Sequence, residues 1–402
     1  MGEVFILTGA RTPMAEWSGG KTGTGKPGGA FDAISAIDLG AHAARAAMQR
    51  AQLDPESIDH VIVGNALQTS ADAIYGARHV ALKAGVPLDK PALTINRLCG
   101  SGIESVVQAA RLIRCGEAKR VLAGGMENLS QSPFVIRGAR KGIKLGQGQL
   151  EDALMASLMD SYSKCYMAVT AENLARDHEI SREAQDEFAL RSFQRAEKAI
   201  ESGVFAEEVV PVEISAGRGE TVLFEHDDHF FPNCTIEGLS KLRPAFGKDG
   251  FVTAGNASGV VDGAAMLVVV GEDQLNGAEP LARVVGQAVV GVEPSRMGIG
   301  PVPAIRAVLA SAGLSLDDVG RFEINEAFAA QYLAVEKELG LDRERVNVNG
   351  GAIAIGHPLG ATGTRLLLTL GHELRRSGER YGIASACIGG GQGIAMLIER
   401  AS

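Results

Sequence analysis

Cys99 stands in TINRLCGSGIESVV, between a short apolar segment and a helix-patterned run, with Gly100, Ser101 and Gly102 directly after it. A thiol at a helix start meets the positive end of the helix dipole, which favours thiolate. Small neighbours would let a substrate carbonyl and the backbone N–H groups approach the sulfur. A structural buried cysteine is the ordinary alternative, but two glycines are not needed for a purely structural helix start. His357 lies in GGAIAIGHPLGATG, locked between Gly356 and Pro358, where an imidazole is either packed or aimed at a reacting group. Cys387 precedes three glycines in SACIGGGQG. That pattern is a tight strand-exit turn, or a second thiol beside a backbone oxyanion site. In EINEAFA, Asn325 and Glu326 end a strand-like run and serve either as a cap or turn or as a polar group holding a water.

Other chemistry-bearing clusters fail on spacing. GGKTGTGKP has the Gly20, Gly25 and Lys26 of a phosphate loop, but Pro27 replaces the Ser or Thr that would reach magnesium. EHDDHF gathers His226, Asp227, Asp228 and His229, yet no helix or strand period focuses them on a metal. Cys115 sits before Gly116 at a helix C-terminus, where the dipole disfavours thiolate. Cys165 and Cys234 have no base beside them. Arg137, Arg140, Lys141 and Lys144 in RGARKGIKLG read as a solvated loop or a phosphate contact. No metal site is expected.

The elements that must position these residues alternate along the chain. VFILTG, a helix over about 38–52, HVIVGNAL and a helix over about 73–83 predict parallel strands with crossover helices. An internal repeat follows. GAHAARAAMQRAQLDPESIDHVIVGNAL resembles PVPAIRAVLASAGLSLDDVGRFEINEAF, TINRLCGSGIESVV resembles NVNGGAIAIGHPLGATGTRLLL, and GEAKRVLAGGMENLS resembles SGERYGIASACIGGGQG. Three matches in one order predict two related α/β halves. Both the Cys99 and the His357 turns are then expected as strand, glycine-rich turn, helix. Residues 126–250 are irregular and charge-rich, with one helix expected from about 168 to 201, and read as an insertion into the first half.

Bulk properties narrow the class. The 402 residues suffice for two or three domains, and 46% hydrophobic with 22% charged residues is an ordinary globular mix. A net charge of −9 gives no electrostatic reason for nucleic-acid binding. Five cysteines without a CxxC pair argue against a disulfide framework and for a reducing compartment. The run AAMLVVV is far short of a membrane span. MGEVFILTGARTP lacks a basic region and a cleavage signal, and Ile6 breaks the myristoylation pattern. A cytoplasmic location is expected.

NRLCGSG, GGMENLS, TAGNASGVVDGAA, NEAFA, NVNGGAIAIGHPLGATG and SACIGGGQG together resemble the thiolases, from about Glu3 to the C-terminus. SADAIYGARHVAL, GIGPVPAI and QYLAVE look closest to the mitochondrial-type 3-ketoacyl-CoA thiolases and their bacterial relatives. The resemblance implies an α/β thiolase fold. Two repeated βαβαβαββ halves would form α/β/α/β/α layers: 1–125 with 251–272, and 273–402, with 126–250 as an inserted loop domain. It also implies roles. Cys99 is the acylated nucleophile, His357 activates it and polarises the thioester, and Cys387 is the acid/base. Asn325 holds a water in one oxyanion hole; the backbones of Cys99 and Gly389 form the other. Ser258 contacts pantetheine, Tyr166 and Met167 stand at the acyl end, and Leu242, Phe246, Ala254 and Phe328 complete the substrate-binding set. Coenzyme A is implied as co-substrate, with no tightly bound cofactor and a homo-oligomer, a dimer of dimers, as the assembly.

Two departures stand out. A Gly/Lys-rich insert lengthens the stretch after Arg11-Thr12-Pro13, and Tyr166 occupies the position where acetoacetyl-CoA thiolases commonly carry His before Met. The second points away from a strict acetoacetyl-CoA preference. A decarboxylating condensing enzyme would show two histidines or a His/Asn set and no second Cys in a CIGGG turn. A non-catalytic lipid carrier on this fold could dispense with Cys99, His357 or Cys387, and all three are present.

Overall fold

The computed structural model describes residues 2–17, 28–146, 148–217, 219–247 and 249–401. The phosphate-loop look-alike and most of the Gly/Lys-rich insert lie outside the described residues.

The first half runs strand Val4–Arg11, helix Ala36–Arg50, strand His60–Gly64, helix Gly76–Lys83, strand Ala92–Ile95, helix Ser101–Arg114, strand Arg120–Glu127 and, after the insertion, strand Val261–Gly271. That is the expected βαβαβαββ order. The second half begins with strand Ala282–Gly291, helix Pro301–Ala312 and strand Val319–Ile324, and closes with helix Leu359–Ser377 and strands Tyr381–Ile388 and Gln392–Arg400. The two sets of strands hydrogen-bond at one seam, where Phe5 faces Arg283 and Ile6 faces Ala282. They therefore form one continuous mixed sheet path.

Two long helices, Ser101–Arg114 and Leu359–Ser377, are buried between the sheet halves. Strand Val261–Gly271 is buried at all of its positions, which explains why AAMLVVV is continuously apolar rather than alternating. Each fully buried Leu or Ile here favours folding by ~1.5–3 kcal/mol.

The glycines around Cys99 turn out to serve this crossing. A Cβ on Gly102 would lie 2.3 Å from the backbone nitrogen of Thr364, and one on Gly100 would lie 2.6 Å from Ile388 Cδ1. Their smallness lets the two central helices and the sheet meet. It does not open a path for substrate to the sulfur, which corrects the expectation.

Two other expectations change. Residues 346–349 do not form the third strand of the second half; only an isolated parallel bridge joins Phe322 and Val346. Asn347 turns left-handed (φ 46°). Its side chain replaces the ladder, accepting from Ile324 N at 2.9 Å and donating to Ile324 O at 2.8 Å. A short helix, Ala352–Ile355, then intervenes before the His357 turn. The single helix expected over 168–201 is two, Met167–Asp177 and Arg182–Glu201. Glu179 takes positive φ, and Ser181 caps the second helix by accepting from Ala184 N at 3.2 Å.

Candidate functional site

Cys99 sits in a single 3-10 turn, Leu98–Gly100, that feeds helix Ser101–Arg114. Leu98 adopts φ 46°, a conformation that costs a side-chain-bearing residue energy. It is held by Asn96 Oδ1, which accepts from Leu98 N at 2.9 Å, and by Ser101 Oγ, which accepts from Arg97 N at 2.8 Å. The backbone N–H groups of Gly389 and of Cys99 itself point at the sulfur, and both favour its anion. Burial outweighs them and pushes the Cys99 thiol up to about 11. The pull of the helix start and of these N–H groups toward thiolate is thus opposed by the desolvation of the sulfur.

His357 follows Gly356, whose φ of 96° and close approach to Val261 exclude a side chain. The His357 backbone N–H donates to Gly259 O at 3.1 Å. Its Nδ1 lies 2.6 Å from Thr362 Oγ1, and that hydroxyl lies 3.0 Å from the Pro358 carbonyl oxygen. A carbonyl only accepts, so the hydroxyl donates to it and accepts from Nδ1–H. Nε2 is left with its lone pair, 3.3 Å from Asn325 Nδ2. Burial, and then the Arg365 cation, lower the imidazole to about 3. His357 is thus a neutral base with its lone pair on Nε2. Asn325 Oδ1 is buried and has no hydrogen-bond partner among the described residues, so this amide retains an acceptor for a further group.

Cys387 is fully buried on strand Tyr381–Ile388, packed with Met297 and Ala327 and flanked by Met167 and Phe328. Burial raises its thiol far above the ordinary range, and the neighbouring Cys99 raises it further.

A cavity of ≈190 Å³ opens onto Cys99 and His357, while Asn325, Cys387 and Gly389 lie outside its lining. Cys99, His357, Ser258, Tyr166, Met167, Phe246 and Phe328 all line it, so the structure gathers residues drawn from both halves and the insertion. Tyr166 and Phe246 meet with ring centroids 5.6 Å apart. Ala254 and Leu242 do not reach this cavity. They line a second cleft of ≈310 Å³ with Phe231, Thr235 and Leu239. Cys115 is exposed at the end of helix Ser101–Arg114, and Arg137 pairs with Glu151 at the surface. Among the described residues no group of three His, Cys, Asp or Glu side chains is arranged to hold a metal ion, and no helix is long and apolar enough to cross a membrane.

Sequence reasoning missed Thr362 and Gly259. Thr362 had a signal, since it lies five residues after His357 on the first turn of a helix. Gly259 had none, because its partner His357 is remote in sequence. Glu326 proved structural: it accepts from Ser192 Oγ at 2.7 Å and Asn347 Nδ2 at 2.8 Å.

Comparison with known proteins agrees with this geometry. The family model "Thiolase, N-terminal domain" matches residues 5–273 and "Thiolase, C-terminal domain" matches residues 278–400. The chain belongs to the thiolase family. It is 51% identical to the mitochondrial 3-ketoacyl-CoA thiolase of Homo sapiens over 399 residues, 98% of each chain. It is 49% identical to the acetyl-CoA acetyltransferase of Escherichia coli (strain K12) over 384 residues, 94% of this chain and 97% of that one. The crystal structure of human mitochondrial 3-ketoacyl-CoA thiolase in complex with CoA superposes with a TM-score of 0.94 at 50% identity, covering 100% of this thiolase and 98% of that chain.

Proposed function

We propose that this thiolase cleaves 3-ketoacyl-CoA with coenzyme A, releasing acetyl-CoA and a shortened acyl-CoA, and runs the reverse Claisen condensation. The carrying observation is the neutral His357, with its Nε2 lone pair beside Asn325, lining one cavity with Cys99, while the Cys387 thiol packs behind the Met167 and Phe328 wall of that cavity. His357 takes the Cys99 proton as sulfur attacks the keto carbon. The backbone N–H groups of Cys99 and Gly389 and a water held by Asn325 stabilise the oxyanions. The C2–C3 bond breaks, and the departing C2 carbanion takes a proton from Cys387. A CoA thiol, giving its proton to the Cys387 thiolate, then attacks the acyl carbon, and the departing Cys99 sulfur takes back the proton held on His357.

Ser258 and Phe246 would guide the pantetheine arm, and the cleft with Ala254 and Leu242 would receive the remainder of coenzyme A. The acyl tail would lie against Tyr166, Met167 and Phe328. Coenzyme A is a co-substrate in this reading, with no tightly bound cofactor. We place the enzyme in the cytoplasm, supported by five free cysteines, as a homo-oligomeric dimer of dimers. Its organisation reads as 1–125 with 251–272, 126–250, and 273–402. The alternative is an acetoacetyl-CoA-specific acetyl-CoA acetyltransferase. The deciding assay is CoA-dependent cleavage of acetoacetyl-CoA and longer 3-ketoacyl-CoAs, with both thioester products identified. Absence of CoA-dependent cleavage of every substrate would refute the reading.

A further inference from the structure

The acidic and histidine cluster EHDDHF is not gathered at one point. Asp227 forms a two-pronged ion pair with Arg11, 2.7 Å from Nη1 and 3.0 Å from Nη2, and also accepts from Met14 N at 2.7 Å. Asp228 accepts from the backbone N–H of Glu16, and its own N–H donates to Met14 O at 3.1 Å. His229 is buried and hydrogen-bonds through Nδ1 to the Glu16 carboxylate. This segment of the insertion is therefore stitched residue by residue along 11–16.

The stitching leads to the catalytic wall. Glu16 faces Val261 in the strand pair Ala15–Glu16 with Val261–Gly271, and Trp17 N donates to Val260 O at 3.2 Å. Gly259 and Val260 line the acyl-transfer cavity. The His229 ring lies against the face of Gly259: a Cβ there would fall 2.3 Å from Nδ1, 2.4 Å from Cε1 and 2.6 Å from Cγ. The Gly259 carbonyl oxygen accepts the backbone N–H of His357 at 3.1 Å.

We propose that His229, clamped by Glu16, is a positioning residue for acyl transfer: its imidazole sets the Gly259 carbonyl that holds His357. The glycine is required because the ring occupies the space of any side chain. The insertion is thereby coupled to the base. Small displacements of a base are costly, on the order of 10²-fold in rate for 1 Å. This inference rests on the reading of His357 as the base.

The test compares His229→Ala, His229→Asn, Gly259→Ala and His357→Ala in the full-length enzyme. It reads the single-turnover rate of Cys99 acylation by acetyl-CoA, kcat and KM for thiolysis of acetoacetyl-CoA, and Tm. His229→Ala should lower acylation and kcat at least tenfold while KM stays within about threefold. His229→Asn, which keeps a donor at the Nδ1 position, should recover most of the loss. Gly259→Ala should act in the same direction, and it decides the matter alone if His229→Ala does not fold. A folded His229→Ala or Gly259→Ala enzyme with wild-type acylation and kcat overturns the proposal. So does a loss carried wholly by KM or by the folded fraction. If His357→Ala itself acylates normally, the reading of the base fails instead.

Discussion

His357 Nδ1 and Thr362 Oγ1 lie 2.6 Å apart, and the hydroxyl passes its own proton toward the Pro358 carbonyl. One short chain of donors thus decides which imidazole nitrogen is basic. Thr362→Val removes the acceptor and leaves Nδ1–H unpaired in a buried site, an arrangement that favours the other tautomer. The expected outcome is a fall in Cys99 acylation on the order of 10–10²-fold, with Thr362→Ser near wild type. Rapid-quench mass spectrometry measures it. Equal rates for Val and Ser would remove the role.

The protonation states predict an unusual pH profile. The reactive pair is neutral thiol and neutral imidazole, and it persists from above the His357 value of about 3 to below the Cys99 value of about 11. Single-turnover acylation by acetyl-CoA should therefore be nearly flat from pH 5 to 9. A falling limb at the ordinary histidine value of ~6.5 would show that His357 is not desolvated as described.

Cys387→Ser separates the two half-reactions. Acylation needs a nucleophile, a base and oxyanion donors, whereas carbon–carbon cleavage also needs a group able to protonate and deprotonate C2. A hydroxyl is a far weaker acid than a thiol. The variant should acylate Cys99 within about tenfold of wild type and lose thiolysis and condensation almost entirely. Full condensation activity would contradict the assignment.

The acyl end predicts specificity. Tyr166, Met167 and Phe328 present an apolar wall, and each buried methylene favours binding by about 0.8 kcal/mol. Three methylenes beyond acetoacetyl-CoA should raise kcat/KM by roughly 30-fold or more. Tyr166→His should reduce that preference. A steep decline beyond four carbons in the wild type would place the enzyme in the acetyl-specific class.

Much of this site was legible in the sequence. Cys99, His357, Asn325 and Cys387 each end a strand-like run or stand in a glycine-rich turn, and the internal repeat placed the Cys99 and His357 turns in matching positions. What the sequence concealed was set by contacts remote along the chain. Gly102 looked like room for substrate until its neighbour proved to be Thr364 on the other central helix. The pull toward thiolate at Cys99 is legible because the helix dipole is local, whereas the desolvation that opposes it comes from the assembled fold. Residues 346–349 read as a strand by analogy with 94–97, but the Asn347 side chain pairs with Ile324 in place of a ladder. Leu242 and Ala254 line a separate cleft, a placement set by the three-dimensional path of the chain after residue 126 and carried by no short motif.

The central claim is that acyl transfer passes through Cys99. Brief exposure of the enzyme to acetyl-CoA, acid quench and peptide mass mapping tests it directly. One acetyl group per chain is expected, on the peptide containing Cys99, lost on addition of CoA and absent from a folded Cys99→Ala variant. An acetyl group found instead on Cys115, Cys165, Cys234 or Cys387, at wild-type turnover, would contradict it.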